Sequence, residues 1–275
     1  MNHTSKHIDL NDTQVISVGG AGGLGTVFSK AAHDAGATVY VFDKDKPEID
    51  LPFAQVDVTD LPGVREELRR VIGAGPESVV VVNFAGMHHP SMDLTKDLSL
   101  EELETFRRVS EVNLTGAFVV TAAAAPLLVA RGEGHIVHLC SNGSRQSLFG
   151  SFAYNATKHG VEGLVKTAAA QLAPYGVRVN GIAPGTVITN LNRRLLSGED
   201  GEYTARALSI LAHTPTKRFA TAEGVVESLM AMCLPQKHLT GNVIFADDGY
   251  TIEGHSWPEG NRALYTSREA LDTLL

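Results

Sequence analysis

The stretch Val15-Ile16-Ser17-Val18-Gly19-Gly20-Ala21-Gly22-Gly23-Leu24-Gly25 decides how the rest of the chain is read. Its first four residues form a short run of strand length, and the residues beyond Gly25 carry the spacing of an amphipathic helix that ends near Gly36. The turn between them is almost bare of side chains. Glycines let a backbone approach a pyrophosphate closely, and the helix that follows offers unpaired N–H groups and the positive end of its dipole. Gly20, Gly22 and Gly25 have G-x-G-x-x-G spacing, so a dinucleotide loop is predicted over Gly19, Gly22, Gly23, Leu24 and Gly25. A tight turn without a ligand fits the same residues, and the rest of the chain has to choose.

Downstream, Thr38-Val39-Tyr40-Val41-Phe42 reads as a second strand that ends at Asp43, 18 positions after Gly25. A carboxylate there accepts both ribose hydroxyls of NAD and repels the 2′-phosphate of NADP. NAD is therefore the predicted coenzyme. Lys44 beside it would tolerate that phosphate, which keeps NADP as the alternative.

Further strand-like runs recur at 53–58, 78–82, 136–139, 177–182 and 242–246, with helical stretches between them. Ser78-Val-Val-Val-Val82 is apolar throughout, as a parallel strand buried on both faces must be. The alternation predicts an α/β protein: a single-domain, Rossmann-type doubly wound parallel sheet with helices on both faces. The expected organisation is a flexible arm over 1–13, a dinucleotide-binding and catalytic domain over 14–250, a substrate lid over about 187–215, and a C-terminal extension over 251–275.

Composition sets the class. With 275 residues, of which 43% are hydrophobic, the chain can bury a substantial core, and a net charge of −8 argues against nucleic acid or an anionic membrane as partner. The polar start Met1-Asn-His-Thr-Ser-Lys-His7 lacks the apolar core of a signal peptide, and no uninterrupted apolar run approaches the ~18 residues of a membrane span. A cytoplasmic protein with a small-molecule substrate is expected. Cys140 and Cys233 lack C-x-x-C spacing and read as buried thiols, and no metal site is expected.

The chemistry lies in a second stretch, from Ser141 to Lys158. Tyr154 and Lys158 are four apart in a predicted helix, hence on one face. A free phenol ionises near pH ~10, so a phenolate at neutral pH costs about 4 kcal/mol, part of which a neighbouring ammonium supplies. Ser141 precedes Tyr154 by 13 positions and follows an apolar strand, where an open α/β sheet places its ligands.

With Ser141, Tyr154 and Lys158 at this spacing, the chain from about residue 14 to 250 resembles the short-chain dehydrogenase/reductase family. The glycine turn also fits two of that family's loop patterns, through Gly19, Gly23 and Gly25 or through Gly19, Gly22 and Gly25. The resemblance implies Tyr154 as general acid/base, Lys158 as the cation beside it and on the nicotinamide ribose, and Ser141 as hydrogen-bond donor to the reacting oxygen. It implies Asn113, in Glu111-Val-Asn-Leu-Thr-Gly116, as holder of a relay water within a long helix over about 100–131 that Pro126 could kink. Coenzyme contacts implied in the same way are Asp57 and Val58 at the adenine, Asn83, Ala85 and Gly86 at the ribose, and Pro184, Gly185, Val187 and Thr189 at the nicotinamide. Asp57 could equally begin a turn ahead of the next helix.

Departures from the family pattern are specific. Phe84 stands where a second Asn is usual, Val18 where Thr is common, His138 where Asn is usual and Tyr250 where a glycine is usual. The supporting hydrogen bonds at these places must be absent or altered.

A polar rim of His88, Asn142 and Arg145, with Arg193 and Arg194 in the lid, favours a small polyol-, cyclitol- or hydroxy-acid-like substrate, whereas Phe149 argues for apolar contact. The reaction implied is interconversion of a secondary alcohol and a ketone with NAD(H). Two other readings fit: an NADP-dependent carbonyl or 3-oxoacyl reductase, and a non-catalytic dinucleotide sensor or scaffold. Relatives pair the helices corresponding to about 100–131 and 153–173, so a homo-oligomer, dimer or tetramer, is expected.

Overall fold

The computed structural model describes residues 8–73, 78–88, 92–146, 151–189, 193–198, 201–235 and 238–252. Seven strands form one parallel sheet: β1 (Thr13–Val18), β2 (Thr38–Asp43), β3 (Phe53–Gln55), β4 (Ser78–Asn83), β5 (Gly134–Leu139), β6 (Val177–Pro184) and β7 (Val243–Ala246). Their spatial order is β3-β2-β1-β4-β5-β6-β7. The order reverses at β1, which pairs with β2 on one side and β4 on the other. Open parallel sheets bind ligands above the carboxyl ends of their strands at such a switch.

Helices cover both faces: α1 (Gly23–Asp34), α2 (Leu61–Ile72), α3 (Leu100–Ser110), α4 (Gly116–Arg131), α5 (Phe152–Leu172), α6 (Arg193–Leu196), α7 (Ala205–His213) and α8 (Ala222–Cys233). The apolar run of β4 shows why a doubly covered strand needs no polar alternation. Val79 and Val81 join the core beneath α2 and α4, while Val80 and Val82 join the core beneath α1 and α8. Carboxyl-end residues line up across the ladder, Phe42 opposite Val18, Val18 opposite Asn83, and Asn83 opposite His138.

Several expectations change. Of the predicted arm, residues 8–12 are described, and Leu10 is buried there, its N–H bonded to the Ala35 carbonyl. The third strand stops at Gln55, because Asp57 and Thr59 form a turn instead. The long helix is interrupted by a π-turn, Glu111–Thr115, while Pro126 sits inside α4. By length and mean hydropathy (1.8) the segment Leu100–Arg131 could cross a membrane, but Val109, Val120, Ala124 and Leu128 on it are fully buried in the core. The segment expected to form an irregular lid contains α6 and α7. Thr204 caps α7 by accepting the Ala207 N–H, and Ala207 is fully buried. The predicted C-terminal extension beyond residue 252 lies outside the described residues, as do 1–7 of the arm.

Candidate active site

The first of two clefts lies above β1, β2 and β4. Gly19, at φ +71°, takes a conformation that side chains disfavour, and a Cβ there would sit 2.4 Å from the Ala85 nitrogen. A Cβ on Gly25 would sit 2.6 Å from the Gly19 carbonyl oxygen. These two glycines fold the loop. Gly22 and Gly23 differ, since a Cβ would meet nothing closer than 3.5 and 3.6 Å. Gly22 caps α1 without a side-chain bond, and the first turn carries no acidic residue. Such a helix start offers free N–H groups and a favourable dipole to an anion, so the residues present fit a dinucleotide pyrophosphate.

Asp43 ends β2 in the same cleft, where its Oδ2 accepts the Ala21 N–H at 2.9 Å and its Oδ1 the Asp45 N–H at 3.1 Å. Lys44 lines it too. Asp57 Oδ1 accepts from the Thr59 amide (2.9 Å) and hydroxyl (2.7 Å), and these bonds hold its carboxyl below the usual range. Val58 packs under α4, so close that a Cβ on Gly116 would be 2.8 Å from it. Phe84, in place of a second Asn, turns into the core and stacks obliquely on Phe28 of α1 at 5.3 Å.

Asn83 Oδ1 accepts the Ala85 N–H (3.1 Å), and its Nδ2 meets His138 Nδ1 at 3.4 Å. His138 Nε2 meets Thr121 Oγ1 at 2.8 Å, and that hydroxyl donates to the Ala117 carbonyl. Since Thr121 spends its only proton there, His138 donates from Nε2 and accepts at Nδ1. Complete burial, reinforced by the Lys158 charge, pushes its pKa down to about 4, which keeps this tautomer neutral. The histidine thus ties β4 through β5 to α4.

The second cleft lies above β5 and β6, with Ser141, Asn142, Tyr154 and His88 along it. Ser141 follows β5 in extended conformation; its hydroxyl donates to Asn142 Oδ1 (3.2 Å) and accepts the Gly143 N–H (3.0 Å). Tyr154 and Lys158 share one face of α5, with the Lys158 nitrogen 5.7 Å from the phenol ring centre. Lys158 is 3% exposed and donates to the Leu139 carbonyl at 2.6 Å. On its other side a Cβ on Gly86 would be 3.7 Å from Nζ. Leu139 borders the second cleft and Gly86 the first, so the ammonium sits between them. His88 lies edge-on to the Tyr154 ring at 5.0 Å, with Nε2 3.0 Å from Ser151 Oγ.

Pro184, Gly185, Val187 and Thr189 also line this cleft, as does Leu24, with Thr189 close beside Gly23. Asn113 stands in the π-turn, where its amide makes three hydrogen bonds. Oδ1 accepts the Met87 N–H at 2.7 Å, while Nδ2 donates to the Met87 carbonyl at 2.9 Å and to Thr157 Oγ1 at 3.2 Å. The side chain thereby fixes the loop after β4 to α5.

Two predicted substrate residues lie elsewhere. Arg145 Nη2 pairs with the buried Glu162 of α5 at 2.8 Å, and its guanidinium lies over the Phe245 ring at 5.5 Å. Arg193 is exposed and is not among the residues bordering the cleft. Phe149 and the Arg194 side chain lie outside the described residues. The cation that does border the cleft is Arg206, with Ile210 one helical turn on and Leu196 of α6 nearby. It was missed because lid arginines look alike in sequence; the helix capped at Thr204, which sets the facing of Arg206, was the available clue.

A family model described as enoyl-(acyl carrier protein) reductase matches residues 19–251. Carbonyl reductase (NADPH) 2 of Sus scrofa is 32% identical over 251 residues, covering 88% of this chain and 98% of its own. The NAD-dependent glycerol dehydrogenase of Listeria innocua is 25% identical, covering 90% and 97%. Among solved structures, the ligand-free aldohexose dehydrogenase of Thermoplasma acidophilum superposes with a TM-score of 0.79 at 26% identity, covering 91% and 98%. The matched span takes in the glycine loop, both clefts and the Ser141, Tyr154 and Lys158 set, and the chain accordingly belongs to the short-chain dehydrogenase/reductase family of oxidoreductases.

Proposed function

We propose that the protein is an NAD(H)-dependent oxidoreductase that interconverts a secondary alcohol and a ketone on a small polar metabolite. The observation that carries this reading is the Lys158 ammonium, buried between the two clefts and on the same helix face as Tyr154. When bound, the coenzyme supplies or accepts the hydride. Tyr154 takes the hydroxyl proton in oxidation and returns it in reduction. Lys158 favours negative charge on that phenol oxygen and binds the nicotinamide ribose through donors left beside its bond to Leu139. The Ser141 hydroxyl donates to the reacting oxygen, exchanging its present acceptor on Asn142, and so stabilises charge where it develops. Asn113 holds the backbone at Met87 and thereby the floor of the site.

Asp43 supports NAD, since its carboxylate faces the first cleft and would oppose a 2′-phosphate. An NADP-linked carbonyl or 3-oxoacyl reductase is the second reading, favoured by Lys44 in the same cleft and by the NADPH-type relative. Polyol and sugar relatives support a polar substrate. Initial rates with each coenzyme across sugar alcohols, cyclitols, hydroxy acids and hydrophobic alcohols test the proposal; turnover confined to the last group would reject the polar substrate.

Phe118 on α4 and Phe152 on α5 are 57% and 43% exposed, which supports pairing of these helices in a dimer or tetramer, to be read by sedimentation. A cytoplasmic setting fits Cys140 and Cys233, buried thiols whose pKa burial pushes up to about 12.

A further inference from the structure

Resting on the oxidoreductase reading, we infer that the substrate of the second cleft is an acid: a hydroxy or oxo acid whose carboxylate is held by Arg206 while its carbinol or carbonyl carbon lies at Ser141 and Tyr154. Among the described residues, Arg206 is the one permanently charged side chain bordering this cleft, and no carboxylate borders it. The guanidinium has no ion-pair partner among the described residues. Of the arginines considered for substrate from the sequence, Arg145 pairs with Glu162 and Arg193 does not border the cleft, while the Arg194 side chain lies outside the described residues.

The placement of Arg206 is built into the fold. Tyr203 stacks edge-on against Phe219 at 5.4 Å, the Thr204 N–H bonds the Leu196 carbonyl at 3.1 Å, and Ala207 is fully buried. Residues on both sides of Arg206 are therefore anchored, and Arg206 shares a helix face with Ile210 toward the cleft. Its charge also reaches Tyr250: burial raises the pKa of that phenol, and Arg206 opposes the rise. An exposed guanidinium on an anchored helix at one end and a proton-transferring phenol at the other define a substrate with an anion at one end and an oxidisable carbon at the other. An uncharged polyol would leave the guanidinium without its strongest partner, since bidentate pairing to a planar carboxylate is what arginine does best.

The experiment compares an aldonic acid, the neutral polyol of the same chain length, and the corresponding sugar phosphate, with wild type and Arg206→Gln. Wild type should prefer the acid over the polyol by roughly tenfold or more in kcat/KM. Arg206→Gln should lower kcat/KM for the acid by roughly ten- to hundredfold, mainly through KM, and leave the polyol within about twofold. A polyol preferred by wild type, or an equal loss on both substrates, overturns the proposal; preference for the phosphate over the carboxylate overturns the acid assignment. Calorimetric titration of the same ligands into coenzyme-saturated protein separates this from failure of the parent reading. Acid binding that Arg206→Gln abolishes, with no turnover, keeps the anion site and rejects the oxidoreductase function; no acid binding rejects the anion site.

Discussion

Above β1, β2 and β4, one wall of the first cleft is main chain, the loop from Gly19 to Gly22 with the backbone of Ala85 and Gly86, and the side chains of Asp43, Lys44, Asp57 and Val58 line the rest. Above β5 and β6, the second cleft is walled by side chains drawn from α5, α6, α7 and the loops after β4, β5 and β6. A wall of backbone amides recognises what all dinucleotides share and tolerates little change. A wall of side chains recognises whatever the chain has placed there. The contrast explains why coenzyme class follows from a few glycines while substrate depends on where individual helices point.

The sharpest way to separate the two walls is Tyr154→Phe. Removing the phenol oxygen should lower kcat by roughly 10²- to 10⁴-fold, with coenzyme affinity by fluorescence titration within about twofold. Equal loss of both would mean the two clefts are not independent.

Next in size is a glycine pair. Gly19→Ala puts a methyl 2.4 Å from the Ala85 nitrogen at a positive φ and should cost about 2–4 kcal/mol in urea unfolding. Gly22→Ala, with its nearest neighbour 3.5 Å away, should leave stability within about 1 kcal/mol yet weaken coenzyme binding about tenfold. Equal destabilisation by both would break the distinction between folding and binding glycines.

Asp43→Ala should narrow the kcat/KM preference for NAD over NADP by roughly ten- to hundredfold, read as a ratio on one substrate. An unchanged ratio would move coenzyme choice away from this residue.

The smallest effect concerns the histidine that joins the walls. His138 ionises near 6.5 when free and at about 4 in the fold, so the unfolded chain binds its proton first. Its contribution is complete above pH 6.5 and is lost as pH falls toward 4, with a slope of up to about 1.4 kcal/mol per pH unit. His138→Asn should flatten the stability profile between pH 7 and 5 by about that slope, measured as the difference between the two proteins in urea.

Sequence made the sheet, its order of helices and the Ser141, Tyr154 and Lys158 set legible, because each rests on short-range spacing along one strand or one helix. It was silent where the answer depends on residues far apart. Arg145 and Glu162 are both charged and unremarkable in sequence; only packing shows that they occupy each other. His138 read as a lost hydrogen bond, yet its two ring nitrogens replace an amide by bridging Asn83 to Thr121. Asn113 was found by its neighbours, but the direction of its amide depends on Met87, 26 residues away.

The π-turn at Glu111–Thr115 bears on how this chain tolerates changes of length. An α-helix advances about 100° with each residue, and a wider turn of this kind absorbs one more residue than a regular helix holds. Removing one residue from those five would let the helix close as a regular α-helix with the faces on either side still in phase, whereas a one-residue deletion within α3 or α4 would swing one side against the other by about 100°. Val109 and Leu128 would keep their places in the core after the first kind of deletion, but Asn113, which the wider turn aims, would lose Met87. The five positions therefore tolerate a change of length that the regular helices on either side do not, and what such a change removes is the anchor at Met87.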